Sequence, residues 1–188
     1  MELLPLSTDP FTPPTDRDMA PSERREFVRT HRTCVFGYGR IADGPAMSVV
    51  YYVPTVDDEL LVSTLAGRSK AKAVARNEKV SLCVLDERWP FSFLQVYADA
   101  TIDRDPDPDL VVDVMMAVGG RMSGAELSED ARPVVRAMAE EEDRLVLRCR
   151  PYATFATPPR HLHAETQDEQ LTHWLSGSVP WDAPDRVS

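Results

Sequence analysis

Lysine is nearly missing from this 188-residue chain: Lys70, Lys72 and Lys79 are its three, and every other fixed cation is arginine. No run of about 18 apolar residues occurs, which excludes a membrane-crossing helix. The N-terminus lacks the basic start and apolar core of a secretory signal, so a cytoplasmic location is expected. Cysteine is scarce and odd in number. Cys34, Cys83 and Cys149 stand far apart in apolar, strand-like stretches and read as reduced core thiols, not as a disulfide or metal set. Positive charge is in deficit, with 21 Lys+Arg against 31 Asp+Glu and a formal net charge of -10. A duplex nucleic acid partner needs a basic face and is therefore not expected. Also missing are a Walker loop, a dinucleotide glycine pattern, an internal repeat and any βαβ alternation. His31, His161, His163 and His173 show no HExxH-like pairing, and read as surface or satisfied side chains.

What is present suffices for one core: 43% of residues are hydrophobic, and one domain is the default at this length. Residues 1–20 hold Pro5, Pro10, Pro13 and Pro14 and read as an extended arm. Pro21-Ser22 opens a short helix with Ser22 as its N-cap. Strand follows strand from there to about residue 104. Thr33–Tyr38 and Met47–Val53 form a hairpin around Asp43-Gly44-Pro45, and Leu60–Thr64 comes after a turn at Asp57-Asp58. Residues 68–77 form a short helix with Ala71, Val74 and Ala75 inward. Val80–Leu85 is a buried strand, and Phe93–Ile102 alternates with period two. Leu110–Val118 and Ala131–Glu142 are two helices joined by a Gly119-Gly120 loop. A final strand starts at Leu145 and runs on toward Phe155. The expectation is a six-stranded antiparallel barrel over residues 21–157, with helices outside it and a tail over 158–188.

The lysine cluster is the best chemical signal. In Ser63-Thr64-Leu65-Ala66-Gly67-Arg68-Ser69-Lys70-Ala71-Lys72, hydroxyls at a strand end precede a glycine and a knot of cations at a helix start. Such hydroxyls bond phosphate oxygens, the glycine permits close backbone approach, arginine can fork onto an anion, and lysine adds a point charge. On spacing alone, the same residues also fit a solvated helix start with ordinary cations. Elsewhere the bland readings prevail: Glu140–Asp143 as a solvated helix end, and Tyr51, Tyr52 and Tyr97 as sheet packing. Trp174 and Trp181 either anchor the tail or cap a neighbouring subunit's pocket.

The run Gly67–Leu82, with its basic pair, its helix ending in Asn77 and its strand opening on Val80-Ser81-Leu82, resembles the phosphate-binding signature of the pyridoxamine 5′-phosphate oxidase-like split barrels. The preceding hairpin and the strand Gln95–Ile102 are similar as well, so the likeness spans residues 22–104 and the last strand. This resemblance implies a mainly β fold with peripheral helices, a six-stranded antiparallel split barrel. It implies a homodimer with the cofactor at the subunit interface and hydride transfer between a flavin-type ring and a small organic substrate. Carried onto this chain, Ser63, Thr64, Arg68 and Lys70, with Lys72 as a helper, would hold the cofactor phosphate. Met47, Ser48, Val49 and Val50 would run beside the ring. Met47 and Tyr52 stand near positions where pyridoxamine phosphate oxidases carry basic residues. Arg160-His161-Leu162-His163 follows Pro158-Pro159, outside any strand. Both departures point away from pyridoxal phosphate synthesis. The Gly67-Arg68-x-Lys70 form is closer to the subgroup that uses the deazaflavin coenzyme F420, with FMN nearly level. A non-catalytic flavin- or haem-binding module, or a general binder of phosphate ligands, is the alternative.

Overall fold

A computed structural model describes residues 1–15, 17–88, 91–102, 107–156 and 178–185. In chain order its elements are α1 (Pro21–Thr30), β1 (Thr33–Tyr38), β2 (Ala46–Tyr51), β3 (Val53–Pro54), β4 (Leu60–Leu65), α2 (Ser69–Val74), β5 (Lys79–Asp86) and β6 (Ser92–Ile102). After these come α3 (Pro108–Ser123), a 3-10 turn (Glu129–Ala131), α4 (Arg132–Glu141), β7 (Arg144–Ala156) and β8 (Val179–Pro180). All ladders are antiparallel, along the path β2-β1-β5-β6-β7-β4-β3, with β8 added to β7. The six long strands are those expected, and the two-residue β3 and β8 bring the sheet to eight.

β2 and β3 lie at opposite ends of that path, yet Tyr52 alone separates them in sequence. One residue cannot span an open sheet, so the sheet curls until its two edges meet. Tyr52 forms the joint. It is fully buried, its hydroxyl donates to the Val28 carbonyl at 2.6 Å, and its amide donates to Arg32. The apolar run 47–53, expected as one strand, is therefore divided between the two edges. β3 pairs with β4 only at Leu60 and Leu61, so β4 from Val62 to Leu65 has a ladder on its β7 side alone. Between β2 and that free edge of β4 the barrel is split.

Period-two burial along β5 and β6 turns Val80, Leu82, Val84, Leu94, Val96 and Ala98 inward. Phe27 and Val28 of α1 and Val74 of α2 join this interior core. A second apolar cluster lies outside the sheet, where Leu110, Val111 and Val114 of α3 and Ala139 of α4 cover Val53, Leu61 and Val146.

Local details depart from the sequence expectation in four further places. Ala20, not Ser22, caps α1: Pro21 occupies the first turn and the Glu23 carboxylate accepts from the Ala20 amide. Ser22 instead bonds Asp185 of the tail. α2 is shorter than read, and it buries Ala73 beside Ala71 and Val74 while Ala75 is exposed. Gly119 and Gly120 lie inside α3, which ends at Gly124 with φ 78. The two glycines leave room for the returning chain, since a Cβ on Gly119 would come within 2.5 Å of Leu127. The N-terminal arm is tied down: Leu3 bridges Thr55, and Phe11 packs on the core with its amide on Thr30. Trp181 packs against the core and donates to Asp58. Trp174, His161, His163 and His173 lie outside the described residues.

Candidate functional site

The split between β2 and β4 opens into a cleft of about 740 Å³. Its floor is polar: Ser63 and Thr64 end β4, and Arg68, Ser69 and Lys70 follow through a turn in which the Arg68 amide bonds the Leu65 carbonyl at 3.1 Å. One side is the edge strand β2, with Ser48, Val49, Val50 and Tyr51. The opposite wall is apolar, formed by Met115, Val118 and Met122 of α3, Leu127 of the following loop, and Val135 and Met138 of α4. The sequence-read residues Ser48, Val49, Val50, Ser63, Thr64, Arg68 and Lys70 thus come together. Met47 and Lys72 do not: both point to solvent outside the lining.

The charge of the cleft runs against that of the chain. Arg68, Lys70 and Arg144 line it, and among the described residues no carboxylate does, although the chain carries a net charge of -10. Burial and the neighbouring Arg68 guanidinium hold the Lys70 ammonium below the ordinary lysine range. Among the described residues, neither Arg68 nor Lys70 has a carboxylate within ion-pair distance. The Ser48 hydroxyl is shielded from water with no hydrogen-bond partner. Two uncompensated cations beside an orphaned hydroxyl form an environment that an anion with acceptor oxygens would satisfy. α2 is only six residues long, so side chains, not a helix dipole, supply this field.

The sequence reading missed Ser69, Tyr51, which reads as sheet packing, and two larger contributors. Arg144, the first residue of β7, reaches the floor because it lies opposite Leu65 in the β4–β7 ladder. The apolar wall comes largely from α3 and α4, whose cleft-facing residues look like ordinary core positions in the sequence. The cysteines stand apart from this chemistry. Cys34 and Cys149 are buried in the barrel, and burial pushes the Cys149 thiol up to about 12.

The sequence pattern described as pyridoxamine 5′-phosphate oxidase matches residues 20–156. The chain belongs to that family. No curated protein matches it in sequence. Among solved structures, a conserved hypothetical protein from Mycobacterium tuberculosis superposes with a TM-score of 0.64 at 21% identity, over 85% of this chain and 99% of the other. A structure described as an F420 reductase gives 0.51 at 20% identity, over 67% and 90% of the two chains. A heme binding protein from Mycobacterium smegmatis gives 0.55 at 14% identity, over 88% of this chain and 59% of that one. At these identities the likeness is one of fold, the family's split barrel. Among the described residues, no helix is long and apolar enough to cross a membrane.

Proposed function

We propose that this member of the pyridoxamine 5′-phosphate oxidase family binds a flavin-type cofactor, F420 or FMN, in the split of its barrel and transfers a hydride between it and a small organic substrate. One observation carries the reading: a cationic, hydroxyl-rich floor continues into apolar walls within a single cleft of an acidic chain. A ligand with a phosphate at one end and a flat ring at the other matches both halves.

In this reading, Ser63, Thr64, Arg68 and Lys70 hold the phosphate through hydroxyl and charge-assisted hydrogen bonds. Val49 and Tyr51 of β2, with Met115 and Met122 of α3, would supply contacts to the ring. The Ser48 hydroxyl gains the partner it lacks. The bound ring supplies the redox chemistry, and the protein contributes orientation and electrostatics. That division accounts for a cleft without a nucleophile–base pair. F420 is placed slightly ahead of FMN on the Gly67-Arg68-x-Lys70 form, with the F420 reductase as structural neighbour.

A second copy of this chain is proposed to complete the site. Val49 lines the cleft yet is 74% exposed, so one wall of a ring site would stand open in a monomer. The second reading, a haem- or flavin-binding module without turnover, draws on the structural likeness to the heme binding protein. Thioethers and tyrosines in the cleft are admissible iron ligands, although no histidine or cysteine lines it.

The test is titration of the purified protein with FMN, F420 and haem side by side, followed by reoxidation of the reduced complex with organic acceptors. Tight binding of F420 or FMN with acceptor-dependent reoxidation supports the oxidoreductase. Binding without reoxidation favours the storage module. Failure of all three to bind removes the cofactor reading.

A further inference from the structure

We propose that Arg144 is a third anion-binding cation of this cleft, held in place by Glu142 and transferred to the ligand's phosphate on binding. The proposal rests on the phosphate-end reading above and adds a residue outside the motif that carried it. Arg144 opens β7 opposite Leu65, and the turn before it is fastened to the end of β4 by the Ala66 amide on the Asp143 carbonyl at 2.9 Å. Its backbone is thereby fixed beside the strand end that presents Ser63 and Thr64. Its Nη1 lies 3.4 Å from the Ser63 hydroxyl, and its Nε donates to the Glu142 carboxylate at 2.5 Å. Its Nη2 makes no hydrogen bond or ion pair among the described residues.

A guanidinium engaged through Nε and weakly through Nη1 still has its outer donors available for a forked contact with phosphate. Glu142 is a suitable holder because the pair is partly exposed, with side chains 24% and 38% accessible for Arg144 and Glu142. Such pairs contribute little to stability. Giving up that contact for an anionic phosphate beside Arg68 and Lys70 is therefore favourable. Glu142 itself does not line the cleft, so it competes for Arg144 without repelling the ligand by direct contact. Two opposite effects on binding follow. Removing Arg144 weakens the grip on a phosphate, and removing the Glu142 charge strengthens it.

The experiment compares wild type, Arg144→Gln, Arg144→Lys and Glu142→Gln. Each is titrated with the phosphate-bearing cofactor that binds, FMN or F420, and with the same ring lacking the phosphate arm. Inorganic pyrophosphate is titrated in parallel by calorimetry. Arg144→Gln is expected to raise the Kd for the phosphate-bearing cofactor at least tenfold and to leave the phosphate-free ring within twofold. Arg144→Lys should lie between it and wild type, and Glu142→Gln should lower that Kd several-fold. Equal weakening of both rings by Arg144→Gln would overturn the proposal, because the residue would then be shaping the cleft. So would no effect on either ring, or a Glu142→Gln variant with unchanged or weaker phosphate binding. If Arg144→Gln does not fold, Arg144→Lys and Glu142→Gln still decide. If wild type binds pyrophosphate but neither cofactor, the cofactor reading falls while Arg144 stands or falls by its effect on pyrophosphate. Should wild type bind neither pyrophosphate nor cofactor, both fall.

Discussion

Among the described residues, Arg68 and Lys70 repel each other without a carboxylate partner, an arrangement that a bound anion would relieve. Replacing both by alanine removes two charge-assisted contacts and is expected to weaken cofactor binding by about 3–6 kcal/mol. Fluorescence titration with the phosphate-bearing ring and its phosphate-free form measures this, and only the former should respond. An unchanged affinity would sink the phosphate assignment. Lys70 also predicts a pH dependence. Burial and then Arg68 hold its ammonium below the ordinary lysine range, so it loses its proton earlier than a free lysine. Anion binding favours the charged form, so from neutral pH upward affinity holds until the lowered pKa and declines as pH rises through it. Arginine stays charged throughout, so Lys70→Arg should extend the plateau to higher pH. A wild-type Kd that holds constant across the alkaline range would show that Lys70 does not touch the ligand.

The elements around the cleft are placed by contacts that run far along the chain. Tyr52 shows this most clearly. Tyr52→Phe keeps the ring that fills the core and removes only the hydroxyl bond to Val28. It should cost about 1–3 kcal/mol, the range for a buried acceptor left without its donor, read as a shift in the urea midpoint. An unshifted midpoint would mean that packing alone holds the joint. The six long strands were legible in the sequence, Phe93–Ile102 because burial on one sheet face imposes period two and Val80–Leu85 as a nearly continuous run of strand formers. The break at Tyr52 was not, because Val49 to Val53 is an unbroken run of strand formers and only the curl of the sheet divides it. Gly119-Gly120 misled in the opposite sense. Their small size serves the close approach of Leu127, while the helix stops at Gly124, where a positive φ favours glycine. The half of the cleft floor written into one contiguous motif, Ser63 to Lys70, could be read directly. Arg144 could not, because strand register brings it to Ser63 from 81 residues away.

At the scale of the whole molecule, the outer face of β1, β2, β5, β6 and β7 carries two rows of residues that are half-buried or exposed among the described residues. The registers place Met47, Gly37, Ser81, Tyr97 and Ala153 in one row across it, and Val49, Val35, Cys83, Gln95 and Phe155 in the next. Met47 and Val49, at the cleft end of these rows, are 72% and 74% exposed. A mostly apolar patch of this kind, interrupted by Ser81 and Gln95, fits an association surface, and Val49 leads from it into the cleft. A second copy seated on this face would bury both rows and close the open side of the ring site, so dimerisation and cofactor affinity should be coupled. Val35 separates the two effects, because it lies in the middle of the Val49 row and does not line the cleft. Val35→Glu places a charge in the centre of an apolar interface, where desolvation costs several kcal/mol. It is expected to yield monomers by light scattering at concentrations where wild type is dimeric. Cofactor binding should weaken at the same time and recover as protein concentration is raised. A wild type that is monomeric at micromolar concentration would remove the shared-site proposal. A monomeric Val35→Glu variant with full cofactor affinity would confine the site to a single chain.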